Sequence, residues 1–324
     1  MPETTYLEAI RQGIWEEMES DQRVFLLGED VGKYGGAFKV TWGMLDAFGP
    51  DRVIDTPISE SAIVGAAIGA AMMGLRPVAE MQFIDFIACA FNMITNFAAK
   101  QRYRCGMGVP MVVRGPAGGG VHAGPFHSGN PESYFVHTPG LKIVQPSTAY
   151  DAKGLIKAAI RDPDPVLYFE HKFLYRRIKE NLPEEDYVVP IGKAVRRRQG
   201  GDLAILTYGA MVHTALEAAN RLAGDGVETE VLDLRTLLPL DREAILESAT
   251  RSGKVIVLHE ATRTGGLGGE VAAIIAEEAF DSLDGPIVRI TAPDTPVPYS
   301  PPLETFFLPS VDKVLDAARK LIAY

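Results

Sequence analysis

Runs of apolar residues of strand length alternate along the chain with stretches of helical periodicity. "RVFLLGED", "RPVAEMQF", "VPMVVRG", "LKIVQPS" and "PVLYFEHK" are short and rich in β-formers, the pattern of strands buried on both faces of a parallel sheet. Between them lie helical patterns, the clearest being "PSTAYDAKGLIKAAIRDPDP", where Ser147 or Thr148 supplies the N-cap and a proline-rich stop follows. At "IKENLPEEDYVVPIGKAVRRRQGGD" the periodicity lapses into charge, proline and glycine. The rhythm then resumes with "DLAILTYG", "VETEVLDLRT", "GKVIVLHE" and "PIVRIT", and with helices over "HTALEAANRLAGDG", from Asp241, and over "GGEVAAIIAEEAF". The expectation is an α/β protein of two consecutive domains, residues 1–185 and 186–324, each with a mainly parallel sheet covered by helices. Arg196, Arg197 and Arg198 are expected in a solvated turn between strands.

Composition narrows the class of function. The chain has 324 residues, 47% hydrophobic and 23% charged, which suits a globular protein with two cores. Its 32 Lys and Arg against 42 Asp and Glu leave a net charge of -10, which repels phosphate backbones and anionic lipid and argues against a nucleic-acid or membrane partner. The first residues read as an acidic amphipathic helix, without the basic head of a secretory signal. The longest apolar run, Ala62 to Leu75, is shorter than the roughly 20 residues a bilayer needs. A cytoplasmic location is therefore expected. Cys89 and Cys105 lack the spacing of a redox or metal pair and are expected to be buried and inert.

Several familiar signatures fail. "TGGLGGEVAAI" has Val271 where a dinucleotide fingerprint needs its third glycine, so it reads as a tight turn with free amides at a helix start. "FHSGN" has Phe126 and Asn130 where a nucleophile elbow needs glycines. "GDG" at Gly224 to Gly226 is followed by no asparagine, since Asn220 is the last in the chain. It reads as a helix-ending turn.

Two constellations remain. In "DTPISESAIVGAAIG" Glu60 opens a helix of small residues, with Ser59 as its cap and no Lys or Arg in the stretch. An acid there is stabilised by the free amide ends by at most about 1 kcal/mol, or it is a buried acid that shares a proton with a nitrogen base. Ala62, Ala66, Ala70 and Gly74 recur every fourth position, beside Gly65 and Gly69, a pattern that predicts close packing against another helix or a ligand. The second constellation joins the aromatics Phe83, Phe86 and Phe91, expected mostly as core, to the glycine-rich "GGGVHAGPFHSGNPE". Its His122 and His127 carry little packing weight in such a loop and suit proton transfer near neutral pH.

Taken together, "LGEDVGKYGGAFKVT", "DTPISESAIVGAAIG", "AEMQFIDF", "HSGNPESYFVHTPGLKIV" and "AYDAKGLIKAAIRDPDPVLYFEHKFLYR" resemble the β subunits of the thiamine-diphosphate-dependent decarboxylases of 2-oxo acid dehydrogenase complexes, over essentially the whole chain. The resemblance implies a pyrimidine-binding domain followed by a transketolase C-terminal-like domain, an α subunit completing an α2β2 heterotetramer, and a lipoyl acyltransferase partner. The α subunit would hold magnesium and the diphosphate. Glu60 would hydrogen-bond N1′ of the aminopyrimidine. Phe86 would pack on that ring beside Ile58, His127 would assist acyl transfer to lipoamide, and His122 would support it. A potassium ion is also implied at Ala159, Asp162 and Asp164, although Asp164 departs from the family's asparagine. "HSGNPESYF" leans toward branched-chain substrates, while "EHKFLYR" also resembles pyruvate and acetoin enzymes. A pure docking subunit and a piece of a split transketolase are the other readings, the latter disfavoured because the histidine loop offers no basic residue for phosphate.

Overall fold

Strand-length apolar runs become strands because pairing within a sheet satisfies their backbone polar groups while their side chains are buried. The computed structural model describes residues 3–324. It divides into two compact units. The first runs to Ala117 and resumes over Tyr134–Ile191, whereas the second takes Gly118–Ser133 together with Gly192–Tyr324. The units are thus interleaved in sequence, and the expected boundary at 185/186 falls inside the last stretch of the first.

The main sheet of the first unit has the strands β1 (Val24–Gly28), β2 (Val53–Asp55), β3 (Arg76–Glu80), β4 (Val112–Ala117), β5 (Lys142–Val144) and β6 (Val166–His171). These are parallel to one another, in the order β5-β6-β4-β3-β1-β2, and the short stretches Thr4–Thr5 and Lys179–Glu180 form a separate antiparallel pair. β2 is too short to leave a periodic signal. The helix Tyr6–Ser20 begins in a capping box in which Thr5 and Glu8 satisfy each other's backbone. It packs on the helix Ala149–Arg161, which Thr148 caps as expected. A Cβ on Gly13 would lie 2.5 Å from Ile156 Cγ2, so glycine is what lets the two helices meet. Around that contact Glu16 pairs with Lys153 and Lys157, and Glu17 with Arg161.

The second unit contains β7 (Val195–Arg198), β8 (Leu203–Thr207), β9 (Thr229–Asp233), β10 (Val255–Thr262) and β11 (Val288–Ala292), in the order β11-β10-β8-β9-β7. Only β7 is antiparallel to its neighbour. The three consecutive arginines are therefore an edge strand and not a turn. Each has a carboxylate partner: Arg196 takes Glu230, Arg197 takes Asp233 and Arg198 takes Glu228. Charges of this kind guard an exposed edge against further strand pairing. The helix Met211–Gly224 ends at the GDG triplet, and Leu267–Glu278 starts at the glycine-rich turn, both as read from the sequence.

Three expectations are corrected by burial. Both cysteines are exposed, Phe91 is 44% exposed, and the helix Glu60–Met72 leaves Ala62, Ala66 and Gly69 at the surface. A Cβ on Gly69 would meet nothing within 4 Å, and one on Gly65 only Met93 Sδ at 3.9 Å.

Candidate active site

The first unit's candidates for the aminopyrimidine follow the carboxyl ends of parallel strands, where open α/β sheets place their ligand crevices. β1 runs into Glu29, β2 into Ile58 and Glu60, and β3 into the short segment Ile84–Ala90 that carries Phe86. The loops are tied to one another. Gly32 and Lys33 N–H donate to the Asp55 carboxylate (2.6 and 3.1 Å), and Ser61 Oγ donates to the Cys89 carbonyl (2.5 Å), linking the first helical turn to the Phe86 segment.

Glu60 is half-buried in the first turn, and no lysine or arginine among the described residues forms an ion pair with it. Ser59 occupies the cap position, but its hydroxyl donates to the Pro57 carbonyl and leaves the helix amides alone. The nearest charge of consequence is a second acid that the sequence reading missed. Glu29 is 7% exposed; burial first, and then the charge of Glu60, push its carboxyl above the usual range, against an opposing hydrogen bond from the Ser59 backbone. The charge of Glu60 is thus felt by a buried neighbouring carboxyl, and no ion-pairing cation stands at Glu60 among the described residues. Glu29 stood in the sequence just after a strand end, and only the approach of the β1 and β2 loops marks it as a partner. Phe86 is half-buried, its ring edge-on to Phe83 (centroids 6.3 Å), and Ile58 is 83% exposed.

Beneath these loops lies a buried charge network. Arg114 on β4 binds Glu80 on β3 and, with both forks, Glu170 on β6; Tyr175 donates to Glu170 at 2.6 Å. All three charged residues are nearly inaccessible. Burial works against the guanidinium's charge, but Glu170 and Glu80 overcome it and hold its pKa above the ordinary arginine value.

The histidines belong to the second unit. Their loop leaves β4 and closes on itself through Gly118 N–H to the Gly129 carbonyl (3.0 Å). Glu260, at the end of β10, accepts from Gly119 N–H (2.6 Å) and Asn130 Nδ2 (2.9 Å). Glu304, on the helix Pro301–Phe307, accepts from the N–H groups of Gly120 (3.0 Å) and His122 (3.1 Å). Gly124, at φ +70, rides so close to the Tyr299 ring that a Cβ would lie 2.1 Å from it. His127 is half-buried, with its N–H directed at the Gly124 carbonyl (3.3 Å), while the His122 side chain is half exposed. The chain signal for these anchors was weak, because Glu260 and Glu304 lie over a hundred residues from the loop they hold.

The turn expected to hold potassium is already rich in cations. Both oxygens of Asp162 lie 2.7 Å from Lys142 Nζ, Asp164 takes Arg102 Nε (2.5 Å), and the Ile160 and Asp162 carbonyls accept from Arg76. The Ala159 carbonyl accepts from Asp162 N–H (3.3 Å). The carboxylates of this turn are thus already paired with side-chain cations.

Comparison with known proteins matches the transketolase pyrimidine binding domain to residues 3–177 and the transketolase C-terminal domain to residues 192–314. The 2-oxoisovalerate dehydrogenase subunit beta of Bacillus subtilis (strain 168) is 54% identical over 99% of both chains. The pyruvate dehydrogenase E1 component subunit beta of the same organism is 44% identical, and that of Staphylococcus aureus (strain COL) 43%, each over 100% of both chains. Among solved structures, a split gene transketolase, described as an inactive beta4 tetramer, superposes with a TM-score of 0.81 over 99% of both chains at 24% identity, a likeness of fold.

Proposed function

Because this chain belongs to the family of transketolase-type β subunits of 2-oxo acid dehydrogenases, we propose that, with an α subunit, it catalyses the thiamine-diphosphate-dependent oxidative decarboxylation of a branched-chain 2-oxo acid and reductive acylation of a lipoyl acyltransferase. The observation that carries this reading is Glu60, half-buried in the first helical turn with no ion-pairing lysine or arginine among the described residues and with the buried carboxyl of Glu29 as its neighbour. That acid fits a ring nitrogen that must be held protonated in a water-poor crevice. Thiamine diphosphate, when bound, supplies the carbon nucleophile and electron sink that 2-oxo acid decarboxylation needs. Glu60 would hold the proton at N1′ of the aminopyrimidine, Phe86 would pack against that ring, and Ile58 would lie in the loop beside it. His127 acts as general acid in acyl transfer, a role worth roughly 10²- to 10⁴-fold, with His122 in support.

The diphosphate and magnesium fall to the α subunit of an α2β2 heterotetramer, since GDG here ends a helix and no asparagine follows it. Potassium at Ala159, Asp162 and Asp164 is not needed to neutralise a turn that Lys142, Arg102 and Arg76 already close. Exchanging K+ for another monovalent cation should leave thermal stability unchanged. The branched-chain assignment is supported by the higher identity to the 2-oxoisovalerate relative than to the pyruvate relatives. The cytoplasm is the proposed location; no helix among the described residues is long and apolar enough to cross a membrane.

Reconstitution with the α subunit and assay against 3-methyl-2-oxobutanoate, pyruvate and acetoin tests the reading, and a marked preference for pyruvate would overturn the substrate assignment. Glu60→Gln keeps the shape and removes the ionisable group. We expect turnover to fall at least about a hundredfold while assembly survives; undiminished turnover would instead favour a docking role.

A further inference from the structure

One of the two carboxylates that anchor the histidine loop grips more than its backbone. We propose that Glu304 is a positioning residue for His122: it fixes the imidazole with its hydrogen on Nδ1 and turns Nε2 outward as the loop's proton-accepting nitrogen. This rests on the reading above that the loop lines the catalytic centre, but its geometry stands within the second unit alone.

Glu304 Oε2 lies 2.6 Å from His122 Nδ1 and also accepts the His122 backbone N–H at 3.1 Å, while Oε1 takes Gly120 N–H at 3.0 Å. A carboxylate oxygen facing Nδ1 at this distance accepts, so the shared hydrogen is placed on Nδ1, and a ring with a single N–H then keeps its lone pair on Nε2. The Glu304 side chain is 1% exposed and that of His122 50% exposed, so the bond is sheltered at one end while the ring remains accessible at the other. Among the described residues no lysine or arginine pairs with Glu304. A buried carboxylate without a fixed cation is costly unless donors surround it, and three of its donors come from two loop residues.

His122 also sits at φ +59, a left-handed conformation that a non-glycine residue holds only when its surroundings over-determine it. Glu304 does this by binding backbone and side chain of the same residue through one oxygen. Gly119 completes the approach: a Cβ there would stand 3.2 Å from Glu304 Oε1 and 3.5 Å from Glu260 Oε1. Glu260 anchors the same loop through the Gly119 N–H and the Asn130 amide, with no imidazole among those donors. The Nδ1 bond is what makes Glu304 different.

Glu304→Gln keeps an oxygen acceptor for the Gly120 amide but can present an N–H to Nδ1, which moves the hydrogen to Nε2. In the reconstituted holoenzyme, Glu304→Gln and His122→Ala should each lower kcat by about tenfold or more with little change in KM, and the double variant should be no worse than either single one. Multiplying effects would overturn the proposal. A readout independent of turnover is the imidazole nitrogen chemical shift of His122 in the wild-type β chain: the Nδ1–H pattern is expected, and an Nε2–H pattern would overturn the proposal even if the Gln variant failed to fold. An Nδ1–H pattern together with an inactive wild-type holoenzyme would uphold the positioning and defeat only the enzymatic reading.

Discussion

His259 shows how a titratable side chain can shape stability without entering the chemistry. It is fully buried on β10, its ring stacked on Tyr208 (centroids 6.0 Å, 15° between planes) and roofed by Gly266 and Gly268, where added Cβ atoms would come within 2.7 Å of it. Burial pushes its pKa down to about 4, helped by the charges of Arg289 and Arg263 and only partly opposed by the Ala261 backbone. The unfolded chain would protonate this histidine at an ordinary value of about 6.5, so the unfolded state binds the extra proton as the solution is acidified. The contribution is therefore complete above about pH 6.5 and is lost progressively toward pH 4, a change on the order of 3 kcal/mol. Urea unfolding across that window should show the decline, and His259→Gln should flatten it; an unchanged slope in the variant would assign the decline to carboxylates instead. Glu29 is the contrasting residue, since its raised carboxyl stems from burial and Glu60 and belongs to the crevice itself.

Among elements, the strands β3, β4 and β6 are joined by the Glu80–Arg114–Glu170 network as well as by their backbones. Arg114→Met would leave two carboxylates buried without their cation, and we expect a loss of about 3–5 kcal/mol, read as a fall in the denaturant midpoint. Replacing all three residues by apolar ones should cost much less than this single change, because the unpaired charges disappear with the cation. These elements also mark the limit of what the chain discloses. The apolar runs at β1, β3, β4, β5 and β6, and the Thr148 cap, were legible because burial on both faces and capping are local in sequence. The strand β2 has three residues and no period, and the arginine triplet was misread because its partners Glu228, Glu230 and Asp233 come from the neighbouring strand region, some thirty residues on. In the candidate site, Glu60, Phe86 and the histidines stood out by type and setting. Glu29, Glu260 and Glu304 did not, since an acid acquires such a role only from what folding brings beside it.

At the scale of the molecule, the row Ala62, Ala66 and Gly69 is a helix face of small residues that lies exposed, with open space around Gly69. It is flanked in sequence by Ile58 (83% exposed) and Met73 (85% exposed). If the α subunit covers it, Ala66→Glu should leave the stability of the isolated chain within about 0.5 kcal/mol and yet abolish co-elution with that subunit on size exclusion; an intact heterotetramer would mean the row faces solvent in the assembly. The interleaving of the two units has a consequence of its own. The C-terminal family match begins at residue 192, whereas the compact unit it describes also owns Gly118–Ser133. A gene cut at that junction would yield a downstream product whose Glu260 and Glu304 had lost the amides they hold, and an upstream product trailing both histidines untethered. Simple fission into two reading frames would separate the histidine loop, encoded in the first half, from the carboxylates of the second half that fasten it.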